Sequence, residues 1–220
     1  MTSKRFEPLV GALGFYPVVP DAAWVARLLD WGVRTVQLRF KPGQHSETEL
    51  ANQVGAAVAA GRSVAGAQVF INDHWKQAIA AGAYGVHLGQ EDWAALREDE
   101  RDVLRASGVR LGLSTHTPAE LARAQSAGPS YLAIGPVYPT TLKVMPYDPV
   151  GLDQLARWTA HVSPCPVVAI GGISLERVPG VLACGVNGVA VVGAVIQAAD
   201  PHKACVLLNA AFAGRKPVLV

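Results

Sequence analysis

A single closed barrel of eight βα units, (β/α)₈, is the fold class that the sequence predicts, and three observations carry it. Eight short β-branched or apolar runs alternate with helical stretches, their starts spread from Phe15 to Gly188 at about 25 residues per unit. The helix-to-strand joints share one plan, seen in Trp31-Gly32-Val33-Arg34-Thr35-Val36, Ala81-Gly82-Ala83-Tyr84-Gly85-Val86, Ala127-Gly128-Pro129-Ser130-Tyr131-Leu132 and Cys184-Gly185-Val186-Asn187-Gly188-Val189. Each puts glycine where a helix ends in a left-handed residue and enters a strand soon after. Composition completes the case. Of 220 residues 50% are apolar and 16% charged, with mean hydropathy +0.25, which excludes a disordered chain and leaves too little charge to cover two small domains.

In order, the strand Phe15–Val19 leads to a helix over Trp24–Trp31 capped by Asp21, and Thr35–Phe40 to a helix over Glu47–Ala60. Ser46 caps that second helix, with Glu49 at the capping-box spacing. Gln68–Asn72 precedes helix Lys76–Ala81, Gly85–Leu88 precedes Glu100–Ala106, and Arg110–Ser114 precedes Pro118–Ala127, where Thr117 is the cap. Tyr131–Gly135, Pro166–Gly171 and Gly188–Val192 are the last strands, followed by helices over Gly151–Ala160, Leu175–Ala183 and His202–Ala211, the last capped by Asp200 before Pro201. The joints are short and carry no hairpin signal, so the sheet is parallel. Eight units in one core favour a closed TIM barrel over an open doubly wound sheet, and no G-x-G-x-x-G follows the first strand. The chain reads as one domain over 1–220, with its core at about 12–212 and frayed ends at Met1–Val10 and Gly214–Val220.

Nineteen basic and 17 acidic residues leave a net charge of +2, too weak a global field to hold nucleic acid or a membrane surface. The longest apolar run, Gly188–Ile196, is far below the roughly 20 residues that span a bilayer. Met1–Val10 has no apolar segment long enough for a secretory signal. Cys165, Cys184 and Cys205 are odd in number and widely spaced, which reads as reduced thiols in a cytoplasmic protein.

In such barrels chemistry gathers at the C-terminal ends of the strands. Gln37, Arg39 and Lys41 alternate with Val36, Leu38 and Phe40, so the polar three share one strand face and point into the mouth, where two cations call for an anion. Asp73 ends the third strand, and Asp92, 19 residues later, belongs to the next unit. A carboxylate pair beside cations suits Mg²⁺ bridging a polyphosphate, although either aspartate alone reads equally as a helix cap. Ser114-Thr115-His116 ends the fifth strand. After the sixth, Gly135-Pro136-Val137-Tyr138-Pro139-Thr140-Thr141-Leu142-Lys143 forms a loop with two hydroxyls and a lysine. Gly171-Gly172 and Val192-Gly193 end the seventh and eighth strands, the place where backbone amides hold phosphate in barrels of this type. His45, His74, His161 and His202 are scattered and read as solvent-facing, and His87 reads as a packed core residue.

These pieces together resemble the thiamine-phosphate synthase family. The resemblance runs in order through Gln37–Lys41, Phe70-Ile71-Asn72-Asp73, Gly85–Asp92, Ser114–His116, Gly135–Thr140, Ala169–Ile173 and Val189–Val192. It implies a transferase that joins a pyrimidine methyl diphosphate to a thiazole phosphate, or its carboxylated precursor, and releases diphosphate. Gln37, Leu38, Arg39, Phe40, Lys41 and Asn72 would hold the pyrimidine diphosphate and Ser114 the pyrimidine. Asp73 and Asp92 would hold Mg²⁺, and Lys143 the diphosphate. Arg39, Lys41, Ser114 and Lys143 would be the catalytic groups. Thr140, Thr141, Leu142, Gly172, Val192 and Gly193 would cradle the thiazole phosphate. The partners would be small phosphorylated molecules, with homo-oligomerisation compatible. Two positions depart from the family pattern: Leu142 stands where a threonine is usual and Gly193 where a serine is common, and both remove a hydroxyl from the cradle. Two other readings compete, a thiazole-phosphate tautomerase using His116 as base and a non-catalytic phosphate-ligand-binding relative.

Overall fold

The computed structural model describes residues 5–41, 46–140 and 147–212. Eight parallel strands close on themselves in sequence order: β1 (Gly14–Val19), β2 (Thr35–Leu38), β3 (Gln68–Asn72), β4 (Gly85–Leu88), β5 (Arg110–Thr115), β6 (Tyr131–Ile134), β7 (Val167–Ile170) and β8 (Gly188–Val191). β1 pairs with β8 through Gly14 to Gly188 and Pro17 to Val191, which seals the barrel. The predicted fold class is the one observed.

The helices are α1 (Ala22–Asp30), α2 (Glu47–Arg62), α3 (Trp75–Ala81), α4 (Gln90–Ala95), α5 (Glu98–Ala106), α6 (Pro118–Ser126), α7 (Gly151–Val162), α8 (Val178–Ala183), α9 (Gly193–Ile196) and α10 (Pro201–Ala210), with a 3₁₀ turn at Leu175–Arg177 before α8. The four predicted caps form: Asp21 accepts from Trp24 N, Ser46 from Glu49 N, Thr117 from Glu120 N and Asp200 from Lys203 N. The joint glycines Gly32, Gly82, Gly128 and Gly185 all have positive φ, so each chain reversal uses the residue that enters this region without a steric penalty.

Period-two alternation divides each strand between two layers. Val36, Leu38, Val69, Ile71, Val86, Leu88, Leu111 and Leu113 face outward into the core shared with the helices. A separate inner cluster of Leu13, Tyr16, Val18, Phe70, Tyr131, Ala133, Val168 and Ala190 fills the barrel. Phe70 is its hub, with ring centroids 5.7 Å from Tyr16, 5.4 Å from Tyr84 and 5.2 Å from Tyr131. A Cβ at Gly112 would run into the Tyr131 ring, so β5 carries glycine where the inner aromatic layer needs room.

Candidate active site

The parallel register brings the polar inward residues of β2 to β5 to one end. Gln37 lies beside Val18 and Phe70, Asn72 beside His87, and His87 beside Gly112. Arg39 N donates to Val19 O at 2.8 Å, so the chain still follows β1 one residue beyond β2 and Arg39 starts from the barrel rim. Arg39 is half-buried and Lys41 exposed. Leu38 and Phe40 are buried in the outer core, which leaves only their backbone atoms for any ligand.

Asp73 follows β3 in a left-handed conformation, φ 62°, unusual for a residue with a side chain. Local backbone bonds hold it there: Asp73 N donates to His87 O at 3.0 Å and Trp75 N to Asp73 O at 2.8 Å. Neither aspartate is a helix cap. His74 precedes α3 without a capping side-chain bond, and Gly89 precedes α4, whose first turn carries Asp92. The two carboxylates feel each other. Although Asp73 as a residue is exposed, desolvation and then the Asp92 charge raise its carboxyl pKa. Arg39, His74 and a hydrogen bond with Asn72 pull it the other way. The structure thus brings together Arg39, Asn72, Asp73 and Asp92 at the mouth. Among the described residues no three His, Cys, Asp or Glu gather to hold a metal, so a cation here would have two carboxylates from the protein.

Beneath the mouth runs a hydrogen-bonded line that the sequence reading missed. Gln37 Nε2 donates to Tyr16 Oη at 3.1 Å, the Tyr16 and Tyr131 hydroxyls are 2.9 Å apart, and Tyr131 Oη is 2.8 Å from His87 Nδ1. His87 Nε2 then meets Ser114 Oγ at 2.9 Å. The core reading of His87 captures its burial but not its polar partners. Burial, and secondarily the Arg39 charge, push its pKa down to about 4, so the ring is neutral at pH 7. The available signal was the set of hydroxyl, amide and imidazole groups at inward positions, since buried polar groups must find one another. Gln90 Nε2 also fixes the Ser114 carbonyl at 2.7 Å.

His116 lies beyond β5, where Glu120 holds it: His116 N donates to Glu120 Oε2 at 2.7 Å and Nδ1 is 3.5 Å from the same oxygen. Tyr147 Oη donates to Glu120 Oε1 at 3.2 Å. His74 is half-buried instead of solvent-facing, its Nε2 3.0 Å from Phe40 O, and the exposed His202 ring lies tilted at 56° to Trp31 with centroids 5.0 Å apart.

The loops after β6 and β7 dock on each other. Val137 N donates to Ile170 O at 2.9 Å and Tyr138 N to Gly171 O at 3.0 Å. Gly171 and Gly172 have φ of +100° and +65°, and a Cβ on Gly172 would lie 2.5 Å from Pro139 O. Only glycine permits both the conformation and the approach, which carries Gly172 to the residue preceding Thr140. Thr141, Leu142, Lys143 and His45 lie outside the described residues. Val192 and Gly193 form the start of α9, a four-residue turn that the sequence reading took as a strand end.

Comparison with known proteins bears on what this mouth does. Residues 16–195 match the family described as thiamine monophosphate synthase. The thiamine-phosphate synthase of Klebsiella pneumoniae is 53% identical over 91% of this chain and 92% of its own, and that of Escherichia coli O157:H7 is 52% identical with the same coverage. The solved thiamine phosphate pyrophosphorylase of Pyrococcus furiosus superposes with a TM-score of 0.76 at 30% identity, over 90% of this chain and 95% of that one. The match spans every strand that contributes to the mouth, and the chain belongs to the thiamine monophosphate synthase family.

Proposed function

We propose that the mouth formed by β2, β3, β4 and β5 is where the chain carries out the transferase activity of a thiamine-phosphate synthase, with Arg39, Lys41, Asn72, Asp73, Asp92 and Ser114 as its working residues. The activity itself follows from family membership and from identities above 50% over most of the chain; neither the tautomerase nor the non-catalytic reading has that support. One observation supports the residue assignment: Asp92 and Arg39 both lie within electrostatic reach of Asp73 at the mouth.

The raised Asp73 carboxyl tests whether a dication fits. Desolvation first and the Asp92 charge second raise it, and Arg39 offsets only part of this; a dication between the two carboxylates would relieve both, and Mg²⁺ takes one or two carboxylates with phosphate and water oxygens completing its shell. Asp73 and Asp92 would hold it, and when bound it would supply charge neutralisation for a departing diphosphate.

The protein's own groups do the rest. Arg39 and Lys41, with Lys143, stabilise negative charge growing on the leaving diphosphate as its bond to the pyrimidine methylene breaks. Asn72 and the backbone of Leu38 and Phe40 position that diphosphate, while Gln37 and Ser114 hold the ring. The electron-rich aminopyrimidine carries the resulting positive charge until the thiazole nitrogen attacks the methylene. No proton leaves the attacking nitrogen, so the step needs no general base. Thr140, Thr141, Leu142, Gly172, Val192 and Gly193 receive the thiazole phosphate. The three cysteines, none in a disulfide, support a cytoplasmic setting. No helix among the described residues is long and apolar enough to cross a membrane.

The test is direct. With both phosphorylated substrates and Mg²⁺, wild type forms thiamine phosphate and diphosphate. Omitting the metal, or changing Asp92 to Asn, removes most of that product. Unchanged kinetics in Asp92→Asn would reduce Asp92 to a residue of the first turn of α4.

A further inference from the structure

We propose that the buried relay from Gln37 through Tyr16 and Tyr131 to His87 fixes the His87 ring as its Nε2–H tautomer and so makes Ser114 an obligatory hydrogen-bond donor to the substrate. The inference rests on the reading of Ser114 as a contact of the pyrimidine.

Gln37 Nε2 can only donate, and it donates to Tyr16 Oη at 3.1 Å. The Tyr16 hydroxyl therefore accepts from Gln37; being buried, it must also find an acceptor for its single hydrogen, and Tyr131 Oη, 2.9 Å away, is the acceptor in reach. Tyr131, having accepted, directs its own hydrogen to His87 Nδ1 at 2.8 Å. Nδ1 is then an acceptor and carries no proton, so the ring is neutral with its hydrogen on Nε2. That hydrogen goes to Ser114 Oγ at 2.9 Å. The Ser114 hydroxyl has accepted from His87, and its own hydrogen is the one the relay leaves unassigned.

Burial makes the order hold. Tyr16 and Tyr131 are 1% and 0% exposed, so water cannot readily take over a link, and reversing the links beyond Tyr16 would leave its buried hydrogen without an acceptor. The half-buried Ser114 ends the relay opposite Gln37, and it is the end whose hydrogen is still to be given. A hydroxyl held as donor prefers a lone pair, such as a neutral ring nitrogen of an aminopyrimidine, and disfavours an N–H at the same place. Tyr16, Tyr131 and His87 are thus positioning residues for substrate choice, acting through Ser114 without touching the ligand.

Nitrogen-15 spectra of histidine-labelled full-length protein, recorded near pH 7 without ligand, read the tautomer directly. The expected result is a protonated Nε2 and an unprotonated Nδ1 for His87; an Nδ1–H ring or an imidazolium overturns the relay. Tyr16→Phe supplies the second arm, because Tyr131 then no longer receives a proton and either tautomer of His87 is allowed. A mixed tautomer is expected there, with the KM for the pyrimidine diphosphate raised about tenfold, the equivalent of about 1.4 kcal/mol, and the KM for the thiazole phosphate unchanged. A ring still wholly Nε2–H with an unchanged KM overturns control by the relay. Ser114→Ala with wild-type KM for the pyrimidine diphosphate would instead remove the substrate contact on which the proposal rests, whatever tautomer the spectra show.

Discussion

The two ends of the barrel are both rich in polar side chains, and they differ in where the hydrogen bonds go. At the N-terminal end of the strands the groups close on themselves. Gln68 Nε2 donates to Ala12 O at 3.0 Å and Thr35 Oγ1 at 3.3 Å, and its Oε1 accepts from Tyr84 Oη at 2.7 Å. Ser130 Oγ donates to Glu7 O at 2.6 Å while accepting from Leu111 N at 2.9 Å, and Asn187 Oδ1 accepts from Val167 N at 2.8 Å. These bonds tie residues 7–12 under the barrel. A cavity of 760 Å³ beside them, lined by Leu13, Ser130, Pro166 and Asn187 among others, is therefore bordered by polar groups that already serve the fold. At the C-terminal end, among the described residues, Arg39, Lys41, Asp73 and Asp92 close no salt bridge, and Asp73 feels Arg39 and Asp92 only through space. The proposed site is the end whose charge is unspent, not the end with the cavity.

The sharpest way to break that contrast is at the carboxylate pair. Asp92→Asn is expected to lower turnover on the order of a hundredfold, the scale of a lost metal or oxyanion contact, with no loss of thermal stability, since it removes a charge that crowds Asp73. Steady-state rates and a melting curve on one preparation decide it. A destabilised variant with full activity would move Asp92 to the structural end of the comparison.

His87 lies between the two behaviours, a buried group that serves the mouth, and its ionisation gives a second test. Its folded pKa of about 4 is below the ordinary 6.5, so the unfolded chain takes up the proton first. The associated stability is fully present above pH 6.5, declines as pH falls, and is gone by about pH 4. The drop is about 3 kcal/mol. Asp73, with its carboxyl pushed up, works in the opposite sense and blunts the acid end of the curve. Chemical denaturation between pH 4 and 7 should show this slope in wild type and lose it in His87→Gln. An equal slope in both proteins would assign it elsewhere.

At the opposite end, Gln68→Leu strands Tyr84 Oη and the Ala12 carbonyl without their partner. The expected cost is about 1–3 kcal/mol of stability, read by denaturant unfolding, with kcat unchanged. Impaired turnover at full stability would show that the lower end shares in the reaction.

How much of this was legible in sequence follows the same division. Strand bounds agree to within a residue or two because period-two alternation and joint glycines are dictated locally. That Arg39, Asp73 and Asp92 gather at one end of the barrel was legible because charges just beyond the strands cannot enter a buried barrel; Asp92 reaches that end from the first turn of α4. α4 was not, because a six-residue helix led by Gly89 and burying only Trp93 gives neither a capping side chain nor enough length for a period. The Gln37–Ser114 relay escaped for another reason. Its members are spread over β1, β2, β4, β5 and β6, and only closure of the barrel makes Tyr16 a neighbour of Tyr131, 115 positions away. Glu120 was hidden likewise, its buried carboxylate gripping His116 and Tyr147 from a helix turn that sequence marks as ordinary first-turn acid.

The smallest effect is expected at Gly193, where the family resemblance puts a serine. Gly193 is not among the glycines with positive φ, so its backbone conformation is open to an L residue and Gly193→Ser is the substitution that restores the hydroxyl. Val192 O already accepts from Val195 N and Ile196 N, which anchors the turn independently of the new group. If the hydroxyl reaches the thiazole phosphate, a charge-assisted bond of about 1.5 kcal/mol lowers that KM by roughly tenfold and leaves the KM for the pyrimidine diphosphate as it was. Leu142→Thr tests the other departure by the same pair of constants. If neither substitution moves the thiazole-phosphate KM, the phosphate is held by backbone N–H groups alone, and the unspent charge of the mouth belongs entirely to its diphosphate half.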